Sequence, residues 1–387
     1  MIYVIDEMMG SGKTSAIINM INSSNDERRF IFVTPYLTEV GRIIDSCKEK
    51  KFKQPSYEKK MAKLLGLKIL LEGGHNIATT HSLFHIFDDD VLEYIKKYNY
   101  TLILDEVTDV IKVYLKSRSN TSKDTITKSD LINLKNNYWD VDEKTGFCRW
   151  KDNTYDGKYN KYKYECQNDS IALYGPQCPL WIFPKKTFEA FETSYVLTYM
   201  FDCQIQKYYF DMFGINFEYM GVNIENGKYI LGDVNKKTPT TDFRNLIHII
   251  ENEKLNSIGN DNNALTKSWY EKNEGNLKLL QLKKNTVNYY KNICHSKSKQ
   301  NLWTTFKDYK QIVKGDGYVK GFISCNMRAT NEYADRKYVA YLMNCYMNPN
   351  IKNFLFKQGI TVNENGYALS EMLQFIWRSA IRKGEEI

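Results

Sequence analysis

Ten residues into the chain stands Gly10-Ser11-Gly12-Lys13-Thr14, and few short stretches constrain a fold more. Ile2-Tyr3-Val4-Ile5 precedes it, a short apolar, β-prone run that predicts a buried strand. Ser15-Ala16-Ile17-Ile18-Asn19-Met20-Ile21 follows it with the apolar spacing of a helix. Strand, glycine-rich turn, Lys-Thr and helix together make a phosphate-binding loop. Glycines let backbone N–H groups curl around phosphate oxygens, and a helix N-terminus adds partial positive charge. Gly10, Ser11, Gly12, Lys13, Thr14 and Ser15 are therefore the expected nucleotide contacts. Lys13 reaches the β and γ phosphates, and Thr14 holds Mg²⁺. The longer pattern G-x-x-x-x-G-K-[ST] asks for glycine where Glu7 stands, so only the shorter G-x-G-K-T form is met. A plain Gly-Ser turn before a cationic helix start is the bland alternative, and the flanking strand and helix count against it.

Downstream, the pattern repeats. Arg29 to Pro35, Asn76 to His81, Thr101 to Glu106 and Tyr195 to Met200 read as strands. Helical patterns run over 38–47, 61–72 and 91–98, with another near 188–192. Strands alternating with helices predict an α/β chain with a mostly parallel sheet. Ligands on such sheets bind at the carboxyl ends of the strands. The polar signals fall there: the phosphate loop, Thr34, Thr80-His81 and Asp105-Glu106. Asp105 is placed to hold Mg²⁺, and Glu106 to polarise the water that attacks a γ-phosphate.

Residues 117–178 lose this pattern, being rich in Lys, Asn, Asp and Tyr, and read as a polar insertion. A solvated lobe with a small aromatic core is the leading reading of it, ahead of a surface for single-stranded nucleic acid. The first domain closes near residue 205. Beyond it the sequence predicts Tyr- and Phe-rich strands from 206, strands at Ile247–Ile250 and Tyr318–Cys325, and helices at 264–270, 337–345 and 368–383. On that last helix Gln374, Arg378 and Arg382 lie four apart and share a face, where guanidinium groups suit phosphate.

The whole chain has 387 residues, enough for two domains, and a net charge of +8, which is compatible with a nucleic-acid partner. No apolar run approaches the roughly 18 residues of a membrane span. No secretory leader is read at the N-terminus, so the expected location is the cytoplasm, that of the host for a viral gene. Eight cysteines include no C-x-x-C pair, and Cys148, Cys166 and Cys178 match no zinc spacing.

Several of these stretches resemble the superfamily 2 helicases. Met9 to Thr14 looks like their motif I, Phe32-Val33-Thr34-Pro35 like motif Ia, and Ala78-Thr79-Thr80-His81 like a following nucleic-acid-contact motif. Leu102 to Glu106 looks like motif II, Val196-Leu197-Thr198 like motif III, and Gln374 to Arg382 like motif VI. The order is right and the likeness spans the chain. Trp303 to Lys307, Cys325 to Asn331 and Ser370 to Gln374 further resemble bacteriophage helicase-like proteins of the DEAD/DEAH type.

The resemblance implies two RecA-like lobes, 1–205 and 206–387, the second either minimal or incomplete at its end, with ATP and Mg²⁺ between them. It assigns Lys13 and Thr14 to phosphate and metal, Asp105 and Glu106 to metal and water, and Thr198 to coupling. Arg378 and Arg382 become arginine fingers beside Gln374. Thr34, Pro35, Thr80 and His81 line a nucleic-acid track, DNA ahead of RNA. The implied activity is an ATP-dependent translocase or helicase in phage DNA replication or recombination, with phage replication proteins as partners. A nucleoside or nucleotide kinase, a packaging ATPase and a non-hydrolysing clamp are the alternatives. Val107-Thr108, Tyr199 and Trp377 depart from the helicase pattern. Arg328 and Asn331 are the candidates for a motif V.

Overall fold

The computed structural model describes residues 1–24, 27–55, 60–116, 125–234, 243–261, 263–325 and 332–387. They group into two units. The first comprises Met1–Met8, Gly12–Thr238 and Asn348–Asn363; the second comprises Met9–Ser11, Pro239–Met347 and Glu364–Ile387.

The first unit is built on a six-stranded sheet. Its strands are β1 (Ile2–Asp6), β2 (Arg29–Thr34), β3 (Ile77–Thr80), β4 (Tyr100–Asp105), β5 (Thr193–Thr198) and β6 (Phe217–Tyr219). They run in the order β6-β1-β5-β4-β2-β3, and every pairing is parallel. Parallel strands need crossovers, and the helices α1 (Lys13–Ser23), α2 (Leu37–Ser46), α3 (Lys60–Glu72) and α4 (Asp89–Lys97) lie between them in sequence. Both faces are therefore covered, which is why Phe30-Ile31-Phe32-Val33 and Leu102-Ile103-Leu104 are buried without alternation. One core cluster joins Ile5, Phe30, Phe32, Ala78, Ile103 and Leu197 of the sheet to Ala16, Ile17 and Ile21 of α1 and Val40 and Ile43 of α2.

Several expectations are corrected. The first unit does not close near 205, because β6 adds a strand to the free edge of β1. The Tyr- and Phe-rich stretch from 206 to 213 is a helix, and strands begin only at Phe217. α5 (Ile205–Phe213) buries Gln206, Tyr209 and Phe210 at helical spacing and ends on Gly214 in the left-handed region. A hairpin of β7 (Gly221–Glu225) and β8 (Lys228–Gly232) follows. It turns on Asn226-Gly227 with φ of 50° and 75°, the positive values that a tight hairpin turn demands.

The insertion is larger than its composition suggests. Ile111–Val113, Ile171–Tyr174 and Cys178–Ile182 form one antiparallel sheet, so the lobe runs from about 111 to 182 and includes the apolar run 179–183. Residues 117–124, where the expected insertion begins, lie outside the described ones. The lobe has its own core around Trp139, Trp150, Tyr159, Cys148 and Cys166. The helix expected near 188–192 is Lys185–Glu189, set by Pro184 at its cap.

In the second unit β9 (Asn301–Thr304) and β10 (Tyr338–Tyr341) pair in parallel, the sheet found among its described residues. Within the helix expected at 337–345, Tyr338–Tyr341 form a strand instead, because Tyr and Val favour a pleated surface. Tyr318–Cys325 forms a 3₁₀ turn at Val319–Gly321, with Phe322 alone bridging to Trp303. Ile247–Ile250 is not a strand either, although the His248 N–H donates to the Ile387 carbonyl at 2.9 Å. Helix α6 (Leu277–Asn288) packs Leu279 and Leu282 with Tyr290, Trp303 and Tyr318 in this unit's core. After β10, α7 (Pro349–Lys357) belongs to the first unit. Its Lys357 and Gln358 side chains donate to the Glu143 and Thr145 carbonyls of the inserted lobe at 2.7 and 2.6 Å. The last helix, α8 (Glu364–Ile376), returns to the second unit.

Candidate nucleotide site at the carboxyl ends of the parallel sheet

All six strands of the central sheet point the same way, so their carboxyl ends share one edge. β1 leads to the phosphate loop. Gly12 caps α1 with φ of 88°, and Gly10 has φ of 79°, both costly for any residue with a Cβ. Gly12 has a second reason to be glycine: a Cβ there would sit 2.2 Å from the Tyr229 ring on β8. The start of α1 has no side-chain cap and no acid in its first turn, so its free N–H groups and positive end are left for an anion. Helix α4, by contrast, is capped by the Asp88 carboxylate.

Lys13 folds back over its own loop, donating to the Met8 carbonyl at 3.0 Å and to that of Glu7. Burial pushes its pKa down, against the pull of Glu106, Asp105, Asp6 and Glu7. The Thr14 hydroxyl stands 3.5 Å from Asp105 Oδ1, across 91 residues of sequence. Burial, with Glu106 next to it and Glu39 nearby, pushes the Asp105 carboxyl up to about 7, while Arg42 and Lys13 oppose the shift.

Strand order explains the convergence. β5 lies between β1 and β4, aligning Asp6 with Thr198 and Leu197 with Asp105. The Thr198 hydroxyl is buried and has no hydrogen-bond partner among the described residues, and its carbonyl accepts from the Glu7 N–H at 3.2 Å. Glu106 turns the chain with φ of 72°, a strained value for glutamate, and its N–H donates to the Leu197 carbonyl at 2.9 Å. Lys13, Thr14, Asp105, Glu106 and Thr198 are thereby brought together.

These groups fit a magnesium-bound triphosphate. Mg²⁺ takes few protein ligands, one or two oxygens beside phosphates and water. Thr14 and Asp105 are two such oxygens at the spacing of neighbouring ligands. Among the described residues no group of three or more His, Cys, Asp or Glu side chains forms an all-protein metal cage.

Other expected site residues fall differently. Ser15 is exposed on the first turn of α1. Thr34 is fully buried and donates to the Tyr36 carbonyl at 3.0 Å, so its hydroxyl faces inward and not along a nucleic-acid track. Pro35, Thr80 and His81 are partly exposed. His81 Nε2 lies 3.0 Å from the Asp105 carbonyl oxygen.

In the second unit, α8 stops at Ile376, and Ser379 is extended before a 3₁₀ turn at Ala380–Lys383. Gln374, Arg378 and Arg382 therefore do not share a helical face. Arg378 is 6% exposed with its Nε donating to the Gln374 carbonyl at 3.1 Å, whereas Arg382 is exposed. Arg328 and Asn331 lie outside the described residues.

Three charged residues at this edge escaped the sequence reading. Asp6 accepts from the Phe201 N–H at 2.9 Å, and burial raises its pKa. Glu39 and Arg42 pair at 2.6 Å on α2, the helix that leaves β2 beside Asp105. The signal for Asp6 was its place as the last residue of β1. For the pair it was the i, i+3 spacing just after Thr34-Pro35.

Fold and site define an α/β protein with a parallel, helix-flanked sheet whose first strand leads through a Gly-Ser-Gly turn into helix α1. Comparison with known proteins places it more closely. The chain is 42% identical to the SPbeta prophage-derived uncharacterized protein YonV of Bacillus subtilis (strain 168), over 398 residues that cover 99% of this chain and 94% of that protein. A family model described as the YonV middle domain matches 122–181, within the inserted lobe. Another, described as the YonV C-terminal Rossmann-like domain, matches 241–387. The chain belongs to the YonV family. No solved structure matches it. The architecture is thus a mixed α/β fold, with a mainly parallel central sheet and a Rossmann-like C-terminal domain. No described helix is long and apolar enough to cross a membrane.

Proposed function

We propose that this protein is a Mg²⁺-dependent nucleoside-triphosphate hydrolase that works on nucleic acid, DNA ahead of RNA, in the host cytoplasm during phage replication or recombination. The observation that carries the reading is Thr14 Oγ1 at 3.5 Å from Asp105 Oδ1, with Lys13 and Glu106 beside them at one sheet edge. Thr14 and Asp105 would hold Mg²⁺, which draws charge from the β and γ phosphates. Lys13 would exchange its carbonyl partners for phosphate oxygens and neutralise them. Glu106 would orient a water on the γ-phosphorus and take its proton as the bond to the leaving diphosphate breaks.

The likeness to superfamily 2 helicases supports the nucleic-acid part and assigns ATP as the nucleotide. It also implies a RecA-like second unit. A relative of prophage origin supports the phage setting.

The test is phosphate release from ATP with and without single-stranded DNA, double-stranded DNA and RNA. Turnover that needs Mg²⁺, rises with one polymer and disappears in Lys13→Ala is the expected result. Equal turnover in wild type and Lys13→Ala would overturn the phosphate-loop assignment. ATP bound without turnover would leave the clamp, and phosphate transferred to a nucleoside would leave the kinase.

A further inference from the structure

The segment that follows β4 is held by more partners than a solvated turn requires. His81–Phe84 make one short helical turn that His85 closes, so His81 and His85 stand one turn apart. His81 Nε2 is 3.0 Å from the Asp105 carbonyl oxygen, and an imidazole there must carry its proton on Nε2 and donate it. His85 Nε2 is 2.7 Å from the Thr108 hydroxyl. The Thr108 N–H donates to Gln206 Oε1 on α5 at 2.8 Å, and Thr108 and Gln206 are both buried. The Glu106 N–H is taken by the Leu197 carbonyl. His85 is itself walled by the Trp181 and Phe183 rings, each 5.6 Å from it, the first from the inserted lobe's sheet and the second just beyond it.

We propose that His81 and His85 form a clasp over Asp105–Thr108 that positions the Glu106 carboxylate for hydrolysis, making His81 a positioning residue and not a nucleic-acid contact. Glu106 sits at φ of 72°, a conformation that persists only where its surroundings enforce it. Two carbonyl or hydroxyl contacts from one helical turn fix both ends of a four-residue segment, which leaves the strained residue between them little freedom. The rings of Trp181 and Phe183 hold the second histidine, so packing of the inserted lobe is transmitted to the same segment. This inference rests on the hydrolase reading for its purpose and on the hydrogen bonds for its substance.

The experiment compares wild type with His81→Ala, His81→Gln, His81→Asn and Lys13→Ala, using Mg²⁺-ATP and a fluorescein-labelled single-stranded DNA oligonucleotide. Removing a group that orients a reacting side chain lowers turnover about 10- to 100-fold. His81→Ala is expected to lower kcat by that amount while KM for ATP and the oligonucleotide Kd stay within about twofold. His81→Gln, whose amide N–H reaches where Nε2 stands, recovers most of the rate, and His81→Asn, which is shorter, does not. Amide exchange at Glu106 and Thr108 accelerates in His81→Ala, whatever the turnover. Unchanged exchange, or an oligonucleotide Kd weakened with kcat intact, overturns the clasp and returns His81 to the nucleic-acid track. Wild-type turnover in Lys13→Ala would instead overturn the hydrolase reading. Should His81→Ala fail to fold, the contrast between His81→Gln and His81→Asn still decides.

Discussion

Lys13 and Asp105 carry opposite electrostatic problems. The lysine is pushed toward losing its proton by burial, and the aspartate toward keeping one. On the proposed hydrolase reading, Lys13→Ala removes the charge that would meet phosphate and should cut ATP turnover by at least about 100-fold with little loss of stability, read by phosphate release and thermal melting. Asp105 makes a prediction about pH. Its folded pKa of about 7 lies above the ordinary carboxylate value, so between the two the native state keeps a proton the unfolded state has released. The stability tied to this group is therefore full at low pH and lost as pH rises toward 7. In EDTA at pH 8, Asp105→Asn should be more stable than wild type, on the order of a few kcal/mol at most. The difference should close near pH 4. Melting curves that show no gain at pH 8 would contradict the burial of that carboxyl.

At the level of elements, two local devices stand out. Tyr229 of the β7–β8 hairpin packs on Gly12, and the Asn19 side chain donates to its carbonyl at 2.9 Å, so the hairpin covers the first turns of α1. Gly12→Ala meets both the left-handed backbone and that ring, and should destabilise the protein by about 1–3 kcal/mol. Tyr229→Ala in the same background should recover only the part due to the ring, which a double-mutant cycle in urea measures. In the inserted lobe, Thr127 caps a short helix through the Asp130 N–H at 3.1 Å, and the Asp130 carboxylate accepts from the Lys158 ammonium at 2.7 Å, the Thr127 hydroxyl at 2.6 Å and the Tyr159 hydroxyl at 2.9 Å. Lys158 and Thr127 hold the carboxyl below its usual range. That contribution is present above the unfolded pKa and is lost as pH falls through the folded one. Asp130→Ala should cost about 1 kcal/mol at pH 7 and less as pH falls below the ordinary carboxylate range, by urea titration at each pH.

Over the whole molecule, the path of the chain matters most. The first unit is interrupted: the chain leaves it, builds the second unit through β9 and β10, and returns as α7 before leaving again. On its return the Asn363 N–H donates to the Tyr208 hydroxyl at 2.8 Å, and Phe354 meets Phe147 of the inserted lobe at 6.2 Å between ring centroids. A fragment that stops at residue 205 lacks α5, β6 and α7, and exposes the edge of β1. It should fail to fold cooperatively, whereas the full chain melts as structured units, as circular dichroism would report. A fragment of 1–205 with a sharp, native-like transition would show that β6 and α7 are ornaments.

The first 106 residues were legible because their information is local. An apolar run of five or six residues buried on both faces, a glycine pair before Lys-Thr, and acids closing a strand each declare themselves within one short window. From them came β1 to β4 and the group Lys13, Thr14, Asp105 and Glu106, and a similar apolar run at 195–200 marked β5 and Thr198. What the window could not hold was register. That β5 enters between β1 and β4, that β6 joins the far edge, and that His81 answers to Asp105 and not to solvent depend on pairings between residues 24 to 215 positions apart. The same limit explains the misreadings beyond 205. Tyr-rich segments suit a helix or a strand alike, and only what packs against them decides, as it did for Ile205–Phe213 and Tyr338–Tyr341. By itself, then, the sequence determined a glycine-rich turn between the first strand of a parallel sheet and the helix that follows, since glycine stereochemistry and apolar runs act at short range. The tertiary structure alone decided which carboxyl ends meet, where the inserted lobe begins and how α7 returns, since those follow from burial and hydrogen bonding between segments far apart in the chain.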